Sequence, residues 1–187
     1  MDEIVRHVWV GNMGDGRDAP GDVHVLCVMW KGEPEIPARA HHIETTGYSK
    51  DPSDLGVWAL PEKMDEAADW IHERVVKDED VLVHCAYGVE RSPLTVVWYL
   101  MRHHGMDFKQ AYDRVLFRRK VAQYRGAWMP QSVKVTGQLP VRTQEADHAR
   151  VLLVLKGVLE EDDLALKAAA ELVYDDVPAQ PAQGGVK

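Results

Sequence analysis

Residues 81–101 read VLVHCAYGVERSPLTVVWYLM, and the two ends of this stretch have different periodicities. Val81-Leu82-Val83 is a short continuous apolar run, as expected of a strand buried on both faces of a mostly parallel sheet. Ser92-Pro93 opens a helix that continues through Val96, Val97, Tyr99, Leu100 and Met101 and stops at Gly105. Between them lies HCAYGVERS, His84 to Ser92. A loop closing over a helix N-terminus aims several backbone N–H groups at one point, and the helix dipole adds partial positive charge there. That arrangement stabilises an anion. Gly88 lets the backbone curl through conformations costly for a residue with a Cβ.

Outward from this core the chain alternates strands and helices. Val8-Trp9-Val10-Gly11 reads as an edge strand, and Val23 to Val28 (VHVLCV) as a buried one. His41-His42-Ile43 suggests a third strand, while residues 44–56 (ETTGYSKDPSDLG) are rich in turn formers and read as a loop. Pro61 suits a first helical position, and Met64, Ala67, Ala68, Ile71 and Val75 recur at helical spacing until Asp78-Glu79-Asp80. A further helix begins near Asp107, with Ala111, Val115 and Leu116 on one side. This order implies an α/β domain with a central mostly parallel sheet flanked by helices. After Trp128, residues 143–156 and 160–174 suggest two helices meeting near Gly157, although RVLLVLK (150–156) reads equally as a strand, and the last ten residues, PAQPAQGGVK, have a disordered composition. The expected division is a domain over 1–135, a helical C-terminal extension over 136–177 and a tail over 178–187.

Composition narrows the function classes. The chain has 187 residues, enough for one core, with 45% hydrophobic and 28% charged residues. A net charge of −8 argues against nucleic acid as a partner. Two cysteines, Cys27 and Cys85, are too few for a disulfide framework. No apolar signal core or membrane-spanning run is evident, so a cytoplasmic protein without a membrane partner is expected. The adjacent pairs His41-His42 and His103-His104 lack metal-ligand spacing, and neither a metal nor another cofactor is expected. Oligomeric state is not written in the sequence.

Cys85 stands at the mouth of the loop, where the field that holds an anion also favours its thiolate, the nucleophilic form. Six residues later Arg91 can return across the loop and offer two parallel N–H donors to phosphate oxygens. Ser92 sits where its hydroxyl can bond the sulfur and help it leave.

His-Cys-x5-Arg-Ser resembles the signature of cysteine-dependent protein phosphatases, and the surroundings resemble their dual-specificity branch over roughly residues 5–130. VWVGN is similar to its opening strand, VHVLCV to its next core strand, LPEKMDEAADWI to its long helix and SPLTVVWYLM to the helix behind the loop. The resemblance implies that Cys85 attacks phosphorus to give a cysteinyl-phosphate. Ala86, Tyr87, Gly88, Val89, Glu90 and Arg91 then hold the phosphate oxygens, and His84 supports the loop. It also implies an aspartate that protonates the leaving oxygen, either Asp54, which aligns without a gap, or Asp51. Cys27 would be a redox partner able to form a reversible disulfide with the nucleophile. Glu90 is unusual at its position and is expected to point away from phosphate, bracing Arg91.

The implied substrates are phosphotyrosine and phosphoserine/threonine of proteins, because a short chain leaves little room for a deep tyrosine-selecting loop. The alternatives are the same chemistry on a nucleotide, RNA 5′ end or inositol phosphate, or a phospho-binding pseudophosphatase. The segment AYGVE lacks the lysines that favour phosphoinositides.

Overall fold

The computed structural model describes residues 1–33, 36–48 and 56–139. The expected helices at 143–156 and 160–174, the tail, and both candidate acids, Asp51 and Asp54, lie outside these residues.

The apolar run VLVH forms the central strand of a five-stranded sheet. Strands β1 (Asp2–Val5), β2 (Val8–Gly11), β3 (His24–Cys27), β4 (His41–His42) and β7 (Val81–His84) are arranged in the order β1-β2-β7-β3-β4. All four residues of β7 are buried, as its lack of alternation requires. It pairs in parallel with β2 on one side, Val10 opposite Val83, and with β3 on the other, Cys27 opposite His84. Three of the four pairings are parallel, and β1 adds the antiparallel one.

Two expectations are corrected here. The first is that Val8–Gly11 is an edge strand; β1 covers it. The sequence DEIV hides this strand because only Ile4 is buried, while Asp2, Glu3 and Val5 stay partly exposed. Arg118 Nε pins it by donating to the Glu3 carbonyl at 2.8 Å. The second is that residues 44–56 form a loop throughout. β5 (Thr46–Tyr48) pairs antiparallel with β6 (Val57–Ala59), Gly47 opposite Trp58, in a separate two-stranded sheet. Trp30 Nε1 donates to the Thr46 carbonyl at 2.9 Å, a tertiary contact that local turn propensity cannot anticipate.

Among the described residues five α-helices flank the sheets. α1 (Met13–Asp18) starts from an Asn12/Asp15 capping box and α4 (Phe108–Arg118) from an Asp107/Gln110 one. α2 (Pro61–Val75) buries Met64, Ala67, Ala68 and Ile71 on one stripe. α3 (Arg91–His103) is buried from Arg91 through Met101 and is the helical centre of the core. Asp65 on α2 accepts from Trp98 Nε1 at 2.8 Å and Arg102 Nη1 at 3.0 Å, fixing α2 against α3. α5 (Gln131–Thr136) ends in left-handed Gly137, whose carbonyl accepts from the Phe108 N–H at 2.9 Å. No helix of the described residues is long and apolar enough to cross a membrane.

Candidate active site

The loop between β7 and α3 turns its carbonyl oxygens outward. The His84 oxygen accepts from the Val28 N–H at 2.9 Å, Ala86 from Met13 at 3.1 Å, Val89 from Gln123 at 2.8 Å, and Gly88 from Arg119 Nε at 2.5 Å. With these oxygens committed to neighbouring segments, the loop's N–H groups are free to turn toward its centre. Gly88 has φ +65°, and a Cβ there would lie 2.5 Å from the Gly11 carbonyl oxygen, so shape and space both demand glycine.

Cys85 lies within this loop, 2% exposed. Ser92 Oγ lies 3.4 Å from Cys85 Sγ and 3.3 Å from the Gly11 carbonyl oxygen, so its one proton has two acceptors. Burial opposes ionisation of the thiol. The Ser92 hydroxyl, the Ser92 and Gly88 N–H groups and the Arg91 charge outweigh it, and the thiol is held below its ordinary range.

Arg91, at the first position of α3, is held by a residue that the sequence reading missed. Both terminal nitrogens of its guanidinium meet the Glu33 carboxylate, Nη1 at a very short distance to Oε2 and Nη2 at 2.9 Å to Oε1. The Trp30 N–H donates to Oε2 at 2.6 Å, and the Trp30 ring lies 4.4 Å from the guanidinium carbon. The Glu33 pKa is depressed chiefly by the Arg91 hydrogen bond. An end-on fork of this kind leaves the guanidinium edge bearing Nε–H for a phosphate oxygen. The brace expected from Glu90 is therefore supplied by Glu33. Glu90 points away from the loop centre and pairs with Arg125. Glu33 stands 58 residues before Arg91, so no local pattern links the two.

Residues 56–138 match the model of the dual specificity phosphatase catalytic domain. Dual specificity protein phosphatase MPK-4 of Drosophila melanogaster is 34% identical over 100 residues, covering 51% of this chain and 26% of that protein. Dual specificity protein phosphatase 1 of Arabidopsis thaliana is 38% identical over 121 residues, covering 65% of this chain and 59% of that protein. The crystal structure of human DUSP28 has the same fold, with TM-score 0.52 and 20% identity over 68% of this chain and 86% of that one. Over these residues the chain is similar to the dual-specificity phosphatase family. It spans about a quarter of the fruit-fly relative.

Other residues of this dual-specificity phosphatase-like chain stand as follows. His84 is fully buried, and a Cβ on Gly16 of α1 would lie 2.6 Å from its ring. Burial holds its pKa below the usual imidazole range against the Cys85 backbone and the Asp15 charge, and neither ring nitrogen has a hydrogen-bond partner among the described residues. Tyr87 stands out from the loop, 79% exposed. Cys27, beside His84 on β3, is a free thiol that burial pushes up to about 11. His42 Nε2 donates to the Met29 carbonyl at 2.7 Å, His103 faces Asp69 and His104 faces Tyr99.

Arg118-Arg119-Lys120 reads from sequence as a helix-end basic patch or a secondary phosphate contact. The structure turns Arg119 inward instead. Its side chain is 6% exposed and donates to the Gly88 carbonyl, the Val10 carbonyl at 3.2 Å and Asp2 at 2.5 Å. Arg119→Ala is expected to destabilise the fold by about 2–4 kcal/mol, because two buried carbonyls lose their donor. Chemical denaturation would check this, and a loss under about 0.5 kcal/mol would show that Arg119 does not support the loop.

Proposed function

We propose that this chain hydrolyses phosphomonoesters through a cysteinyl-phosphate, with phosphotyrosine and phosphoserine/threonine side chains of proteins as substrates. One observation carries the reading: the Cys85 sulfur meets the Ser92 and Gly88 N–H groups and the Ser92 hydroxyl, and the Arg91 charge faces it. The thiolate attacks phosphorus and the S–P bond forms as the ester P–O bond breaks. The leaving oxygen takes a proton from an aspartic acid. Water then attacks phosphorus, the S–P bond breaks, the aspartate regains a proton and phosphate leaves. Loop amides and Arg91 carry the charge on the equatorial oxygens in both steps. The Ser92 proton, shared between sulfur and the Gly11 carbonyl, can follow the sulfur as it departs as thiolate.

Asp54 is the acid in this scheme. Asp54→Ala is expected to slow alkyl phosphates about 100-fold while slowing p-nitrophenyl phosphate far less, since nitrophenolate leaves without protonation. The same selectivity in Asp51→Ala, and not in Asp54→Ala, would transfer the role to Asp51.

The protein-substrate assignment is supported by the names of the relatives and by the lysine-free loop. A panel of phosphopeptides, inositol phosphates and 5′-triphosphate RNA tests it, with Cys85→Ser as the blank. Turnover confined to the last two would refute it.

Cys27 is proposed as the redox partner of Cys85, supported by its place on the strand next to β7. At neutral pH it is a thiol, and so attacks a Cys85 sulfenic acid slowly. Mild peroxide followed by non-reducing mass mapping should give a Cys27–Cys85 disulfide. Sulfinic Cys85 with Cys27 unchanged would reject the pairing.

A further inference from the structure

A concentration of basic side chains lies away from the catalytic loop. A cavity of about 430 Å³ is lined by Val23, His24, Arg39, His41, Trp70 and Arg74 among others. It opens where β3 and β4 pass the C-terminal half of α2. His24 pairs with Val81, four residues before Cys85, or roughly 13 Å along the strand.

Its basic groups are held in place. The His41 ring stacks on Trp70 at 5.1 Å with an interplanar angle of 3°, and the His24 ring meets Trp70 edge-on at 6.4 Å. The Arg74 guanidinium carbon lies 3.5 Å from the Trp70 ring centroid, and Arg74 Nη1 donates to the Trp70 carbonyl at 2.7 Å. Arg39 donates to the Pro20 carbonyl at 2.9 Å and to the Ala19 carbonyl. The Nε–H of Arg74 is buried and has no acceptor among the described residues. Among the described residues no carboxylate lines the cavity. Glu79 lies 3.2 Å from His24, and Glu73 lies 3.6 Å from Arg74 but is 70% exposed, where water screens its charge.

Stacking of Arg74 on Trp70 one helical turn away would by itself only shield the indole. Two guanidinium groups and two imidazoles converging on one space without a lining carboxylate exceed that need. Guanidinium forks match phosphate oxygens, and each side chain here has already lost its freedom. The volume falls in the range of small-molecule sites and exceeds what one phosphate fills.

We propose that this cavity binds the phosphate group of a small molecule, at a site separate from Cys85 and independent of catalysis there. Two indoles report on the two sites separately: Trp30 lies against Arg91, and Trp70 lines the cavity. The test follows the indole N–H resonances of the full chain, assigned by Trp→Phe variants, during titration with inorganic phosphate, AMP or an unphosphorylated acidic peptide. Trp70 should shift saturably with AMP, inorganic phosphate or both, which also separates a nucleotide-sized ligand from free phosphate. The paired variant Arg39→Gln/Arg74→Gln should weaken that response about tenfold or more and leave the Trp30 response and p-nitrophenyl phosphate turnover unchanged. If the pair fails to fold, Arg39→Gln alone, on an exposed side chain, should weaken it about threefold. A silent Trp70 with both phosphate probes, a response unaltered in the variants, or a response to the acidic peptide alone overturns the proposal.

Discussion

Cys85→Ser is expected to lower kcat for p-nitrophenyl phosphate by at least about a thousandfold while inorganic phosphate still binds. The serine hydroxyl is smaller and almost wholly unionised at neutral pH, so the loop keeps its donors and loses its nucleophile. Binding should tighten, because the wild-type thiolate repels an incoming phosphate across a site it already charges. Calorimetry with phosphate and steady-state assays on the same preparation would separate the two effects. Retention of more than about a hundredth of kcat would mean that another group attacks phosphorus.

The sign of the pH dependence follows from the same sulfur. The native Cys85 pKa lies below that of the unfolded thiol, so the thiolate persists in the fold where the unfolded chain would bind a proton. The rate should therefore fall as pH drops through the depressed value. The stability that ionisation lends is complete above the unfolded pKa and is lost on the same descent. Cys27, pushed up to about 11, titrates far to the alkaline side and cannot produce this limb.

Much of this site is legible in one stretch because its parts are local. The strand, the glycine, the cysteine and the arginine lie within residues 81–91, and backbone geometry brings them together without help from distant contacts. What the sequence conceals are the residues acting across the fold. Glu33 reaches Arg91 because β3 lies beside β7 and its following turn hangs over the loop mouth. Arg119 looks like a solvent-facing basic residue in RRK, yet its acceptors are carbonyls of β2 and the loop. Neither has a spacing rule, since each partnership depends on sheet order. β5 was hidden for the same reason, its pairing with β6 and its Trp30 contact being tertiary.

Arg91→Lys is expected to lower kcat/KM by about a thousandfold although the charge is kept. Lysine is a point charge with no planar edge, so it cannot bond Glu33 end-on and present a second edge to phosphate at once. Vanadate, which imitates five-coordinate phosphorus, should lose affinity in step with kcat/KM if the arginine acts in the transition state. Glu33→Gln extends the argument. A neutral amide can accept from one nitrogen of Arg91 but offers it an amide N–H in place of the second oxygen, so the guanidinium loses its fixed plane. That variant should lower kcat/KM about 10–100-fold without unfolding the chain, Glu33 being a partly exposed loop residue. The two losses should not add, because Glu33 acts through Arg91: in the double variant, removing the carboxylate from a lysine that cannot use it should have almost no further effect. Additive losses would separate the two residues. They would leave Glu33 with a role of its own at the loop mouth, where a carboxylate not neutralised by the guanidinium would repel the substrate.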